Sequence, residues 1–137
     1  MPKGQDPLLL LLKGHLLIEE ELFAYIASYC KDVKKLSDAR LTASQKLHVA
    51  HALGGGLFDG RMSECLKKLN SIRNHLSHRA ELPNLKDAID DYLKAWDDDN
   101  DYLPPKRNRQ RTGYLRNTLI FQIAMLSGYN ASRCLEP

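Results

Sequence analysis

Apolar residues near the start of the chain return at three- and four-residue steps: Leu8, Leu9, Leu12, Leu16, Leu22, Phe23, Ile26 and Ala27. That is the period of an α-helix, and it predicts a long first helix reaching about residue 30. Pro7 suits its opening turn, where the missing N–H has no partner to lose, and Asp6 is a good N-cap. Residues 31–42 are charged and irregular, with a short turn around Val33–Leu36. Thr42 caps a second helix, whose apolar positions Leu47, Val49, Ala50 and Leu53 run into Gly54-Gly55-Gly56, a run too costly to stay helical. A third helix spans about Gly60 to Arg79, with Cys65, Leu66, Leu69, Ile72 and Leu76 as its buried stripe. Pro83 ends it, and a fourth follows with Leu85, Ala88, Ile89, Tyr92, Leu93 and Trp96. After an acidic run and Pro104-Pro105, a fifth is predicted from about Arg111 to Leu126, carrying Leu115, Leu119, Ile120, Ile123 and Ala124. With no strand pattern and no repeat, the expectation is an all-α domain over residues 1–137, a bundle of four to five helices.

Composition agrees with one closed core: 137 residues, 43% hydrophobic and 27% charged. Cys30, Cys65 and Cys134 are odd in number and follow no zinc-ligand or disulfide-framework spacing, which suits a reducing, cytoplasmic setting. The leucines at 8–12 are interrupted by Lys13, His15 and Glu19-Glu20-Glu21, so neither a signal peptide nor a membrane span is completed. The glycines at 54–56 follow no strand and precede no GK[ST], so they are not read as a phosphate loop. The net charge of +3 conceals an acidic block (Asp87, Asp90, Asp91, Asp97, Asp98, Asp99, Asp101) beside a basic one (Lys106, Arg107, Arg109, Arg111, Arg116). Such blocks are usually solvated faces. The residues Lys106, Arg107, Arg109 and Arg111 are nevertheless candidates for steering RNA. Trp96 and most tyrosines fall at helical spacing and read as core.

The densest chemistry is Ser71-Ile72-Arg73-Asn74-His75-Leu76-Ser77-His78-Arg79, two arginines, an asparagine and two histidines at the end of the third predicted helix. With Leu69 at zero and ~100° per residue, the core side is set by Cys65, Leu66, Ile72 and Leu76, Arg73 flanks it at ~40°, and Asn74 and His78 fall at ~140° and ~180°. Arg73 and His78 are therefore ~140° apart. They converge on one small group only if the helix loosens at its end or if two copies face each other across a two-fold axis. An arginine offers a permanently charged fork to a phosphate, and a histidine exchanges a proton near neutral pH. Cleaving RNA needs little more: a base for the 2′-OH, and a cation for the charge that develops as that oxygen attacks the phosphate.

Arg73-Asn74-His75-Leu76-Ser77-His78 resembles the Arg-polar-x-x-x-His signature of the HEPN superfamily (higher eukaryotes and prokaryotes nucleotide-binding domain). Lys13-Gly14-His15-Leu16-Leu17-Ile18-Glu19 resembles the first-helix motif of a bacterial branch, and Leu41–Leu53 and Leu66–Asn70 resemble the segments leading to the signature. The resemblance covers about residues 8–80. It implies a helical homodimer that cleaves RNA without metal or cofactor, with Arg73 and His78 as the central pair assisted by Asn74. It also implies a toxin or phage-defence effector, in some members partnered by a nucleotidyltransferase-like antitoxin. Members that only bind make the alternative a non-catalytic module for nucleotide, RNA or a protein partner. His75, His15 and Glu19 are supporting candidates, His15 and Glu19 being favoured as a brace between helices, and Arg79 joins the RNA-binding set. The rival is a metal site from the pairs His48/His51 and His75/His78, without the Glu-x-x-His of di-iron bundles.

Overall fold

The computed structural model describes residues 6–54, 58, 60–78, 84–97 and 101–134, and among them there are six helices and no strand. They are α1 (Pro7–Ala27), α2 (Val33–Asp38), α3 (Ala43–Leu53), α4 (Arg61–His78), α5 (Leu85–Trp96) and α6 (Asn108–Cys134). The all-α expectation holds, with one helix more than the four to five expected. The extra element is α2: Asp32 accepts a hydrogen bond from the Lys35 amide at 3.2 Å, turning the expected short turn into a helix. The predicted third, fourth and fifth helices are thus α4, α5 and α6. Asp6 caps α1, and Thr42 and Gln45 form a reciprocal capping box on α3. Gly54 and Gly60 both take positive φ, +92° and +56°, and bound the α3–α4 connection. Gly55, Gly56, Arg79, Pro83, Asp98 and Asp99 lie outside the described residues. No helix among the described residues is long and apolar enough to cross a membrane.

The side chains that meet fix the topology. Gly14 faces Leu119, and Asn130 donates to the Glu21 carbonyl at 3.0 Å, so α1 and α6 run parallel. His15 meets Asn70 while Leu8 and Leu12 meet Arg73 and Leu76, so α4 runs antiparallel to α1. Lys68 bonds Asp91 at 2.7 Å and Arg61 bonds the Trp96 carbonyl at 2.9 Å, so α5 is antiparallel to α4. The C-terminal end of α4 consequently shares one end of the bundle with the N-termini of α1, α5 and α6.

Two expectations change. The period over residues 8–27 identified a helix but not its buried face: Leu10, Leu11, Gly14, His15, Ile18, Leu22, Tyr25 and Ile26 are buried, while Leu9 and Leu16 are 51% and 52% exposed. A leucine run is apolar all round, so periodicity cannot select its inner side. The last helix extends beyond Arg111–Leu126 at both ends. Polar Asn130 holds the Glu21 carboxylate at 2.8 Å and Tyr129 packs on Tyr25, both on α1, and Arg133 stacks over Tyr29 just beyond its end. Tertiary partners therefore carry α6 through residues that look like a terminus.

The core joins all layers. Tyr25 donates to the Gly54 carbonyl and packs on Phe58, tying α1 to the end of α3. Tyr92 donates to the side chain of fully buried Gln122, tying α5 to α6. A Cβ on Gly14 would stand 2.8 Å from the Leu119 side chain, whose surroundings are fully buried. Gly14→Val is expected to destabilise the fold by about 1–3 kcal/mol through overpacking, read as a lower urea midpoint. An unchanged midpoint would mean that α6 shifts freely on α1.

Candidate functional site

The cluster at the end of α4 is built as its sequence period requires. Met62, Cys65, Leu66, Leu69 and Ile72 are buried, and Arg73, Asn74, His75, Ser77 and His78 are exposed. α4 stays helical through His78, so it does not loosen to bring Arg73 and His78 together. Among the described residues neither side chain makes a hydrogen bond or ion pair. Ser77 donates to the Asn74 carbonyl at 2.8 Å, a local bond, and the Asn74 side-chain amide has no partner among the described residues. Arg73, Leu76 and Ser77 of α4 meet Leu8 and Leu12 of α1 around a shallow hollow of about 190 Å³. Leu12 is one of the exposed leucines of α1, with Leu9 and Leu16.

His75 is not part of that hollow. It lines a groove on the other flank of α4 with Lys68, Asp87 and Asp91, where the Lys68–Asp91 bond holds the lysine above its ordinary range. Of the further candidates, Lys106, Arg107 and Arg109 are exposed around the start of α6, and Arg79 lies outside the described residues. Arg111 is the exception in the basic block, being only 3% exposed. It donates from Nε to Asp90 at 2.7 Å, from Nη1 to Asn108 at 2.8 Å and from Nη2 to the Pro105 carbonyl at 2.8 Å. Asp90 also accepts from Tyr102 at 2.7 Å. Removing one member of so buried a pair costs several kcal/mol, about 3–5. Arg111 is thus a structural clamp on the segment entering α6, with no surface free for steering RNA.

His15 and Glu19 form a brace behind the cluster. His15 is 6% exposed, and its Nε2 donates to Asn70 Oδ1 at 3.2 Å, one helical turn before Arg73 and Asn74. Glu19 sits at the 4.0 Å limit from Nδ1, and its other oxygen takes a 2.9 Å bond from Lys46 of α3. Burial, the largest effect, pushes the His15 pKa below its ordinary value, and the nearby Arg73 and Lys46 charges add to this. The Asn70 bond and Glu19 pull the other way without reversing it. His15 is therefore the neutral pin of α1 against α4. Asn70 and Lys46 were not singled out from sequence. Asn70 had a signal, being the polar residue one turn before Asn74 on the same face, whereas Lys46 is recognisable only from its distance to Glu19.

Cys65 is buried beside the Tyr92 carbonyl, and burial pushes its thiol up to about 12, so it is unreactive. His48 Nδ1 lies 2.7 Å from the Ser44 carbonyl on its own helix. Among the described residues no three His, Cys, Asp or Glu side chains are grouped to hold a metal ion, so the two histidine pairs do not combine. The chain matches no family model, no curated protein and no solved structure.

The brace gives a pH signature. Because the folded pKa of His15 is depressed, the unfolded chain binds the proton more readily as pH falls below about 6.5. Stability is then present in full above that value and falls on acidification below it. The melting temperature of wild type is expected to drop between about pH 7 and pH 5 more steeply than that of His15→Gln, which keeps a donor for Asn70 without the titration. Parallel profiles would remove the neutral-pin assignment.

Proposed function

We propose that this chain is a metal-independent endoribonuclease acting as a homodimer, with Arg73, Asn74 and His78 of two copies forming the cleft. The observation that carries the reading is the unbroken helix through His78. It keeps Arg73 and His78 ~140° apart on one copy, and leaves each side chain uncommitted among the described residues. A two-fold axis beside the end of α4 supplies what a single copy lacks. The exposed Leu12 beside Arg73, with exposed Leu9 and Leu16 on the same face of α1, supports a second copy there, since burying them removes apolar area from water.

The chemistry follows from the residue types. One His78 takes the 2′-OH proton, the freed oxygen attacks the adjacent phosphorus, and a 2′,3′-cyclic phosphate forms as the P–O5′ bond breaks. The second copy's His78 gives a proton to the departing 5′ oxygen. Arg73 holds the phosphate and stabilises its added negative charge, and the Asn74 amide donates to the same group. His15 acts behind the site, through Asn70, by fixing α4. The resemblance in residues 8–80 supports the same reading and a role as a toxin or phage-defence effector.

His78→Ala is expected to lower RNA cleavage in EDTA by at least about 100-fold with an unchanged helical circular dichroism spectrum. Undiminished cleavage by protein free of contaminating nuclease would sink the proposal. Wild type that binds RNA and never cuts it would favour the non-catalytic alternative. Leu12→Glu is expected to convert the dimer to a monomer in sedimentation velocity and to abolish cleavage with it. A dimer that survives this change buries another face and removes the composite cleft.

A further inference from the structure

α6 carries Tyr114, Asn117 and Thr118 at steps of three and four, so a ring, an amide and a hydroxyl share one face. Leu93 and Trp96 of α5 meet that face, and together with Arg61 and residues 101–103 they border a cavity of about 710 Å³, within the range of small-molecule sites. Trp96 and Tyr114, whose spacing reads as core, are half-buried and 43% exposed. With Tyr102 they give the cavity three aromatic rings. α4 is 18 residues long, so Arg61 at its start and His78 at its end are roughly 26 Å apart. The cavity is thus separate from the proposed cleft.

The rings are held in place. Tyr102 donates to Asp90 at 2.7 Å, and its ring meets that of Tyr114 edge-on, with centroids 6.4 Å apart and planes at 76°. Arg61 lies 4.4 Å over the Trp96 ring and donates to the Trp96 carbonyl at 2.9 Å, while Phe121 meets the same ring at 5.9 Å. By contrast, Asp101, Asn117 and Thr118 make no side-chain hydrogen bond among the described residues. Fixed rings therefore stand beside polar groups that have no protein partner there.

The lining narrows the ligand by elimination. Both signs of charge are present, Asp97 and Asp101 against Arg61. An anion would meet two carboxylates, and a cation would meet the guanidinium that already covers the Trp96 ring. A wholly apolar ligand would leave Asp101, Asn117 and Thr118 unpaired and shut off from water. A neutral molecule avoids all three costs if its hydroxyls, each both donor and acceptor, reach those groups. Its C–H faces would then cover the rings and Leu103, which is 82% exposed at the rim. We infer that this cavity binds a neutral saccharide. The sugar ring lies on the aromatic side chains, and its hydroxyls bond Asp101, Asn117 and Thr118. The inference does not depend on catalysis at Arg73 and His78.

Trp96 is the only tryptophan of the chain, so its fluorescence reports on this cavity. The test is titration of the full chain with maltose, cellobiose, lactose and N,N′-diacetylchitobiose, and with choline and adenosine as a cation and a nucleoside. At least one disaccharide is expected to change the Trp96 emission saturably, and choline and adenosine to bind more weakly or not at all. The combined Asp101→Ala and Asn117→Ala variant, altered at two exposed positions, is expected to bind that disaccharide at least about tenfold more weakly with an unchanged melting temperature. Silence toward all four sugars, choline or adenosine binding at least as tightly as any sugar, or undiminished binding by the double variant would overturn the inference. His78→Ala leaves this cavity untouched, so failure of either proposal is seen separately.

Discussion

The close approach of α1 to α6 at Gly14 sets the geometry on which the other features depend. Leu119 fills the space a side chain at residue 14 would occupy. Once Gly14 faces α6, helical rotation of ~100° per residue assigns the rest of α1. His15 turns inward to α4, Leu16 turns outward, and Leu11, Ile18 and Leu22 follow into the core. One small residue thereby decides which leucines are core and which remain on the surface. The same contact fixes α1 and α6 as parallel, so their N-termini lie at one end. The long connection after α5 brings the chain back to that end.

That end gathers the chemistry. α4 arrives there antiparallel to α1, carrying Arg73, Asn74 and His78 on its last turns, while α1, α5 and α6 begin there. Helix N-termini carry partial positive charge, and Lys86 and Arg109 add full charges beside them. Arg73 and His78 make no side-chain bond among the described residues, while the helices around them are tied together: His15 to Asn70, Glu19 to Lys46, each between different helices.

The basic block illustrates where residue pattern stops being informative. Arg109 and Arg111 are two positions apart, ~200° around α6, and meet different surroundings. Arg109 stays exposed, whereas Arg111 turns to Asp90, a residue from the acidic run. Complementary blocks in the sequence do meet in space, through this buried pair. Nothing in their composition selects Asp90 over its neighbours. The choice belongs to the face of α5 that packs on α6, because Asp90 adjoins buried Ile89 and lies one turn before Leu93.

By itself the sequence determined the helices and most of their limits, because period, caps and glycine or proline stops act within a few residues. Asp6, Thr42 and Gly54 are examples. It also determined that Asn74 and His78 lie opposite the α4 stripe, since only one face of that helix is apolar. Tertiary structure alone decided the inner face of α1, where leucines surround the helix. It carried α6 on to Cys134, where Asn130 and Arg133 find partners over a hundred residues away in sequence. It also divided the arginines between buried clamp and exposed surface. In each of these cases the deciding contact joins distant segments, and no local pattern encodes which distant segment will arrive.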